Sequence, residues 1–122
     1  MARNDDSIFN SIVLYLMLDP DCLSEQFRVH ILDDINTQLN ILRQIGVEFE
    51  NEDLEIEDAS TTWGELLPTN AKLNMIKTYI QIGVRLEFDP PQNSALSEAL
   101  KAHREEVQWR IYTQIENSGR TL

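Results

Sequence analysis

The spacing of apolar residues predicts four helices, of which the second is the clearest. It runs from about Leu23 to Ile45, and its apolar positions recur at three- and four-residue steps, the period of one helix face. These positions are Phe27, Ile31, Ile35, Leu39 and Leu42. Gly46 follows as a natural C-terminal residue, because glycine enters the left-handed backbone region without a steric penalty.

A first and a third helix have the same period. The first has Asp6 or Ser7 as its N-cap and ends at Asp19-Pro20-Asp21, because the residue before a proline is forced out of the α region. The third begins after Asn70 and runs to about Leu86. Its apolar positions cover so much of its circumference that we expect it to lie at the centre of the fold.

The fourth helix follows a rigid corner. Phe88-Asp89-Pro90-Pro91 breaks the chain, because two successive prolines fix two φ angles and remove two hydrogen-bond donors. Ser94 or Ser97 then caps the helix, and Ser118-Gly119 ends it. Residues 117–122 form a short C-terminal tail in this interpretation.

The segment over residues 47–62 has a different pattern. Acidic and apolar residues alternate in Glu48-Phe49-Glu50 and in Leu54-Glu55-Ile56-Glu57, which is the period of a strand. We therefore expect a short acidic hairpin or an extended arm. Its apolar residues, together with Trp63, pack either on an adjacent subunit or on the chain's own core. The fold class predicted by the whole chain is mainly α, a four-helix subunit with this arm between helices 2 and 3.

The length of the chain predicts the number of domains, and its charge argues against one class of binding partner. The chain has 122 residues, of which 42% are hydrophobic, and this predicts one domain over residues 1–122. The net charge of −11 is localised, since residues 47–65 carry eight acids and no base, whereas residues 66–122 carry six acids and seven bases. A field of this sign repels phosphate and argues against ordinary DNA or RNA binding.

No stretch of the chain approaches the roughly 18 apolar residues of a membrane span. The longest early run, Ile12–Leu18, follows acidic rather than basic residues, which argues against a signal peptide. Cys22 is the only cysteine, so no intrachain disulfide can form. We expect a soluble protein made in the cytoplasm, without membrane association.

Candidate catalytic groups are few. His30 and His103 lie on different predicted helices, and no HExxH, paired-cysteine or glycine-rich phosphate motif is present. Asp33 and Asp34 point about 100° apart on a helix, so we expect them on a solvated face rather than as a catalytic pair. Cys22 is expected to be a partly buried small residue. The sequence predicts no enzyme activity, no cofactor and no metal site.

Several short runs occur in an order and spacing that resemble one family. The runs are Leu39–Val47, Thr62-Trp63, Ile76–Ile80, Val84–Leu86, Phe88–Pro91 and Glu106–Arg110. With them the chain resembles the small head–tail connector, or adaptor, proteins of long-tailed bacteriophages. The similarity covers most of the chain, and its most specific part is Phe88–Pro91 followed by the helix that contains Trp109.

This resemblance implies a helical subunit whose copies, usually twelve, form a ring beneath the portal protein in the neck of the virion. Such a ring extends the DNA channel, lets DNA pass without specific binding, and receives a head-closure or tail-completion protein. In the family the C-terminal helix and tail commonly engage the portal. This maps here to Ile115, Gly119, Arg120, Thr121 and Leu122.

The acidic arm is the second candidate site, at the subunit interface or facing the channel. Its residues are Glu48, Phe49, Glu50, Glu52, Asp53, Leu54, Glu55, Ile56, Glu57, Asp58 and Trp63. An acidic channel lining would let DNA slide, because it repels phosphate. The alternative function is an acidic DNA mimic that occupies the basic groove of a host nucleic-acid-binding enzyme. The alternation of apolar and acidic residues favours assembly.

Overall fold

The computed structural model describes residues 7–49, 54–66 and 73–120, which contain five α-helices, one 3-10 turn and no strand. The helices are α1 (Ile8–Tyr15), α2 (Glu25–Gln44), α3 (Trp63–Leu66), α4 (Leu73–Phe88) and α5 (Ser94–Arg120), and the 3-10 turn is Pro20–Cys22. The mainly α prediction is confirmed. The four predicted helices are present, and α3 is a short addition to them.

Serine side chains cap helices α1 and α2. The Ser7 hydroxyl accepts a hydrogen bond from the backbone N–H of Asn10 at 3.2 Å, and the Ser24 hydroxyl accepts one from the N–H of Phe27 at 3.2 Å. Each cap satisfies a backbone donor that has no partner within its own helix. Of the two caps proposed for the first helix, only Ser7 lies within the described residues.

Both ends of α5 differ from the prediction. The Asn93 side chain accepts hydrogen bonds from the backbone N–H groups of Ala95 at 2.8 Å and Leu96 at 3.2 Å, so Asn93 is the N-cap instead of Ser94 or Ser97. Asparagine is among the best N-cap residues, and here it reaches two donors. The helix also continues through Gly119 to Arg120, because a single glycine lowers helix propensity without ending the helix.

Helix α2 ends as predicted at Gly46, whose φ is 109°. The Gly46 N–H donates to the carbonyl of Arg43 at 3.1 Å, and the Val47 N–H donates to the carbonyl of Leu42 at 3.0 Å. This paired arrangement is the Schellman motif, which satisfies the last carbonyls of a helix.

Helix α1 ends in the same motif, but with Met17 in the left-handed position at a φ of 65°. The Met17 N–H donates to the carbonyl of Leu14 at 2.9 Å, and the Leu18 N–H donates to that of Val13 at 3.1 Å. The Met17 side chain is 90% exposed. The strain of this backbone is therefore not offset by packing of its side chain.

Helix α4 lies at the centre of the fold, as predicted, and packs along both α2 and α5, while α1 contacts α2 and α4. The largest fully buried side chains come from α1, α2, α4 and the chain between α2 and α4. They are Trp63, Tyr79, Phe9, Ile8, Ile12, Ile31, Ile35, Leu39, Leu42, Ile56, Leu66 and Ile76. The core thus includes residues of the acidic segment.

A chain of polar contacts joins the three long helices. The Gln38 Oε1 on α2 accepts a hydrogen bond from the Arg104 Nη2 on α5 at 2.7 Å. The Arg104 guanidinium lies 4.7 Å from the ring centre of Tyr79 on α4, and the Tyr79 hydroxyl donates to Gln108 Oε1 on α5 at 3.1 Å. Because Gln38 and Tyr79 are fully buried, these contacts fix α5 against the other two helices.

Candidate functional site

The acidic segment, residues 47–62, contains no strand in its described part, so the predicted hairpin is not confirmed. An isolated antiparallel bridge joins Ser7 to Thr62, where the Ile8 N–H donates to the Thr61 carbonyl at 3.0 Å. This bridge holds the end of the segment against the start of α1.

The apolar residues of the segment face the chain's own core. Phe49 is 5% exposed, Ile56 is 1% exposed and Trp63 is 2% exposed, and Leu54 is partly buried against the same core. The sequence left open whether these side chains pack on an adjacent subunit or on the chain's own core, and the structure shows that they pack on the chain's own core. Apolar burial of this kind is the main force that holds an irregular segment in place.

Helix α2 holds the backbone of the segment through two side chains. The Asn36 amide both donates to the Ile56 carbonyl at 3.0 Å and accepts from the Ile56 N–H at 2.8 Å. Arg43 Nη2 donates to the Leu54 carbonyl at 2.7 Å. The asparagine thus takes the place of a neighbouring strand, because its amide offers one donor and one acceptor side by side.

Trp63 anchors the far end of the segment. Its indole Nε1–H donates to the Ser11 hydroxyl on α1 at 2.9 Å, and the Lys77 ammonium on α4 lies 5.5 Å from its ring centre. A buried indole needs such a hydrogen-bond partner. Trp63 therefore joins α1 and α4.

The acids of the segment point to solvent. Glu48, Glu55, Glu57 and Asp58 are exposed, and the first three make no ion pair with any described residue. The Ser60 hydroxyl and backbone N–H donate to Asp58, and these hydrogen bonds hold the pKa of its carboxyl below the usual value. Glu50, Glu52 and Asp53 lie outside the described residues.

The basic side chains are used within the domain. Four of them lie over aromatic rings, in the pairs Arg28–Phe9, Arg43–Phe49, Lys77–Trp63 and Arg104–Tyr79 at 5.1, 5.4, 5.5 and 4.7 Å. The other bases with described side chains bind the Asp89 carbonyl or pair with an acid on their own helix, and they are Arg85, Lys101 and Arg110. Cation–π contacts hold a charge against the domain. The exposed field of the segment therefore remains strongly acidic.

The predicted C-terminal site lies at the end of α5. Ile115 is partly buried against the core and faces Gly46 at the end of α2. Gly119 and Arg120 form the last residues of the helix, and Thr121 and Leu122 lie outside the described residues. The part of this site that the structure describes is thus helical.

Two exposed aromatic residues on α5 were not predicted as site residues. Trp109 is 66% exposed and Tyr112 is 48% exposed. Neither residue lies on the buried side of α5, which is formed by Val107 and Ile111. A large aromatic side chain at an outward position was the sequence signal that could have identified them.

The structure corrects the prediction for Asp34. Asp33 is exposed, but Asp34 is only 6% exposed, and its Oδ2 lies 3.5 Å from His30 Nε2. Burial raises the pKa of the Asp34 carboxyl to about 6, an effect that His30 opposes and that Glu87 and Asp33 reinforce. Asp34 lies on the inner side of α2 because the helix turns by about 100° between the two residues.

Cys22 is exposed rather than partly buried. Among the described residues, no group of three or more histidine, cysteine, aspartate or glutamate side chains could hold a metal ion. In the same part of the chain, no helix combines the length and the apolar composition needed to cross a membrane.

The fold and its surface define an all-helical domain with a docked acidic segment and exposed aromatic residues. The chain belongs to the phage connector protein family, whose family model matches residues 8–118. The resemblance stated from the sequence is thereby confirmed, and the protein is of a structural class of phage components. No curated protein and no solved structure is significantly similar to it.

Proposed function

We propose that the chain is the head–tail adaptor of a tailed phage, with copies forming a ring beneath the portal. The ring extends the DNA channel and receives a head-closure or tail-completion protein in the neck of the virion. Membership of the connector family supports this role, since the family match spans almost the entire domain.

The sorting of charge is the observation that carries the proposal. Glu48, Glu55 and Glu57 are exposed without an ion pair among the described residues, whereas the bases are held on rings, carbonyls or neighbouring acids. A surface beside a DNA channel must not bind phosphate, and unpaired carboxylates repel it. This supports a position of the acidic segment at the channel or beside it.

The burial of the apolar residues of the acidic segment also limits which of its side chains can contact a neighbouring subunit. Phe49, Ile56 and Trp63 are used in the chain's own core, so a contact through the outer side of the segment is made by carboxylates. In this proposal the portal contact is made by the end of α5 and the tail, from Ile115 to Leu122. The portal contact and the acidic segment are then separate sites.

Native mass spectrometry of the purified chain with the portal protein encoded by the same genome tests this function. We expect a portal oligomer that carries a full ring of the chain, with about twelve copies as the connector resemblance implies. Deletion of Arg120 to Leu122 should weaken this complex while the free chain keeps its helical content.

A chain that stays monomeric and leaves the portal unoccupied would contradict the adaptor function. The same carboxylates would then favour the alternative, an acidic DNA mimic. Competition of the chain with DNA for a host nucleic-acid-binding enzyme would be the corresponding measurement.

A further inference from the structure

Helix α5 carries a hollow with two exposed aromatic rings. Trp109 and Tyr112 line a space of about 300 Å³ together with Ile45, Glu105 and Gln108, and we call this space the α5 hollow. Tryptophan and tyrosine are enriched among the residues that dominate binding at protein interfaces. The α5 hollow is therefore a candidate contact surface.

Contacts inside the domain hold the walls of the α5 hollow in place. The Tyr79 hydroxyl donates to Gln108 Oε1 at 3.1 Å, and Ile45 is partly buried against the core. A site whose walls are already fixed loses little conformational entropy when a ligand enters it. The α5 hollow is thus preformed.

The α5 hollow contains a carboxylate that the domain does not use. Glu105 is exposed and makes no ion pair with a described residue. The bases of α5 with described side chains are engaged by other residues, and these pairs are Lys101 with Glu98, Arg104 with Gln38, and Arg110 with Glu106. The Glu105 carboxylate is therefore available to a cation from outside the chain.

The two rings of the α5 hollow are also free of the chain's own cations. Among the described residues, no basic side chain lies over Trp109 or Tyr112, although four other rings each carry one. These four rings are Phe9, Phe49, Trp63 and Tyr79. The face of an aromatic ring attracts a cation, and tryptophan does so most strongly.

The spacing along α5 places the carboxylate beside the rings. Glu105 lies four residues before Trp109, and Tyr112 lies three residues after it, so successive Cβ atoms are about 5–6 Å apart on one side of the helix. A guanidinium group is planar, and it both stacks on a ring and donates two parallel hydrogen bonds to a carboxylate. A lysine ammonium has no plane to stack. The arrangement therefore favours arginine over lysine.

We propose that the α5 hollow binds an arginine side chain of a partner protein, with the guanidinium stacked on Trp109 and hydrogen-bonded to Glu105. The apolar stem of the arginine then lies against Ile45. A nucleic acid is disfavoured at this surface, because Glu105 and the net charge of −11 repel phosphate. The inference goes beyond the adaptor function, since it names the chemistry that a partner presents to α5.

Nuclear magnetic resonance of the free chain tests this contact through the indole N–H signals of its two tryptophans. Trp109 reports on the α5 hollow, whereas Trp63 is buried and bonded to Ser11, so its signal is the internal control. The probe is a capped peptide with the sequence Gly-Ser-Leu-Arg-Leu-Ser-Gly. Two matched peptides carry lysine or citrulline in place of arginine, and citrulline is an uncharged analogue of nearly the same shape.

We expect the arginine peptide to move the Trp109 signal with a dissociation constant on the order of 1 mM, while the Trp63 signal stays in place. The lysine peptide should bind about threefold more weakly, because it cannot stack and form the paired hydrogen bonds together. The citrulline peptide should bind about tenfold more weakly than the arginine peptide, because it lacks the charge that the ring and the carboxylate attract.

Glu105→Gln keeps the shape of the α5 hollow and removes its charge. It should weaken binding of the arginine peptide about fivefold, the loss expected for one exposed ion pair. Asp89→Asn is the matched control, because it also removes one exposed negative charge but does not line the hollow. It should leave the affinity nearly unchanged.

Three results would overturn the proposal. Equal binding of the arginine peptide and either matched peptide would show that the hollow does not recognise a guanidinium group. Equal weakening by Glu105→Gln and Asp89→Asn would reduce the effect to the net charge of the chain. A Trp109 signal that moves when the chain is concentrated without peptide would assign the hollow to a second copy. Because the titration uses the chain alone, each result leaves the adaptor function to its own test on the portal.

Discussion

The side chain of Gln38 on α2 fills the space in which a Cβ at residue 83 of α4 would lie. Its Oε1, Cδ and Cγ atoms all approach that position more closely than ordinary van der Waals contact allows. Gln38 is fully buried and bonded to Arg104, so it has little room to move away. Gly83 is therefore required by the close approach of α2 and α4 rather than by its own backbone angles.

Gly83→Ala should destabilise the protein by about 2 kcal/mol, because the added methyl group displaces a buried side chain and breaks its hydrogen bond to Arg104. Without this clash the same change in a helix would stabilise by up to about 1 kcal/mol. Urea unfolding followed by circular dichroism measures the difference.

Gly64→Ala is the matched control, since only the Thr62 hydroxyl lies near its added Cβ, at 3.9 Å. Because Gly64 also lies in a helix and has room for the added methyl group, the change should raise the free energy of unfolding by up to about 1 kcal/mol. Combining Gly83→Ala with Gln38→Ala should cost less than the sum of the two single changes, because the removed amide makes room for the new methyl group. Strict additivity would contradict the proposed clash.

Met17→Gly should stabilise the protein by up to about 1 kcal/mol. The left-handed conformation costs a residue with a Cβ about 1–2 kcal/mol, and glycine does not have this cost. Part of the gain is lost because glycine has a larger conformational entropy in the unfolded chain. The side chain that is lost is 90% exposed and contributes little packing. Thermal unfolding of the two proteins measures the change. A lower melting temperature for the variant would contradict this account of the end of α1.

The stability of the protein should depend on pH through Asp34. Its pKa is about 6 in the folded chain against an ordinary value of 3.8, so the folded state holds this proton more tightly than the unfolded state. This contribution is complete below pH 3.8 and is lost as the pH rises through 6, by up to about 3 kcal/mol. Asp34→Asn removes it, so the variant should gain stability relative to the natural chain as the pH rises from 4 to 8.

Urea unfolding of both proteins at pH 4.5, 6 and 8 measures this relative gain. Glu55→Gln is the control, because Glu55 is exposed and is not among the groups that raise the pKa of Asp34, and surface substitutions usually change stability by less than about 0.5 kcal/mol. A constant difference between Asp34→Asn and the natural chain across this pH range would show that the carboxyl does not titrate there.

Neutralising the unpaired acids tests the role of the acidic segment. The triple variant Glu48→Gln, Glu55→Gln, Glu57→Gln should change the free energy of unfolding by at most about 1.5 kcal/mol, about 0.5 kcal/mol for each change, because these side chains are exposed and unpaired among the described residues. We expect it to assemble less well on the portal or to yield particles that retain less DNA. Native mass spectrometry and the packaged DNA per particle are the measurements.

The control removes the same number of negative charges elsewhere, from three glutamates that each face a base. These are Glu25, Glu98 and Glu106, which pair with Arg28, Lys101 and Arg110. Equal behaviour of the two triple variants would assign any effect to net charge alone. Normal assembly and full genome retention in the segment variant would remove the functional role of its acids.

The four longer helices were predictable because each one buries apolar residues that recur at helical spacing. Ile31, Ile35, Leu39 and Leu42 recur at helical spacing and are all fully buried, and Gly46 ends the helix they define. Buried positions of this kind depend on local periodicity, which the sequence contains.

The conformation of the acidic segment was not predictable in the same way. Alternation in Leu54–Glu57 shows that one side is buried, but it does not specify what supplies the backbone hydrogen bonds. Asn36 supplies them for Ile56, twenty residues earlier on a helix, so no second strand is needed. The prediction for Asp34 was wrong for a related reason. Aspartate is usually exposed, so a solvated face was expected, but the turn of the helix places Asp34 on the inner side of α2 beside His30.

Four basic side chains lie over aromatic rings, and this reduces the attraction of the chain for nucleic acids. They are Arg28, Arg43, Lys77 and Arg104. Nucleic acids bind a protein through the contacts that its accessible cations make with phosphates, and the affinity rises with the number of these contacts. With these four cations stacked against the domain and a net charge of −11, the chain offers few such contacts.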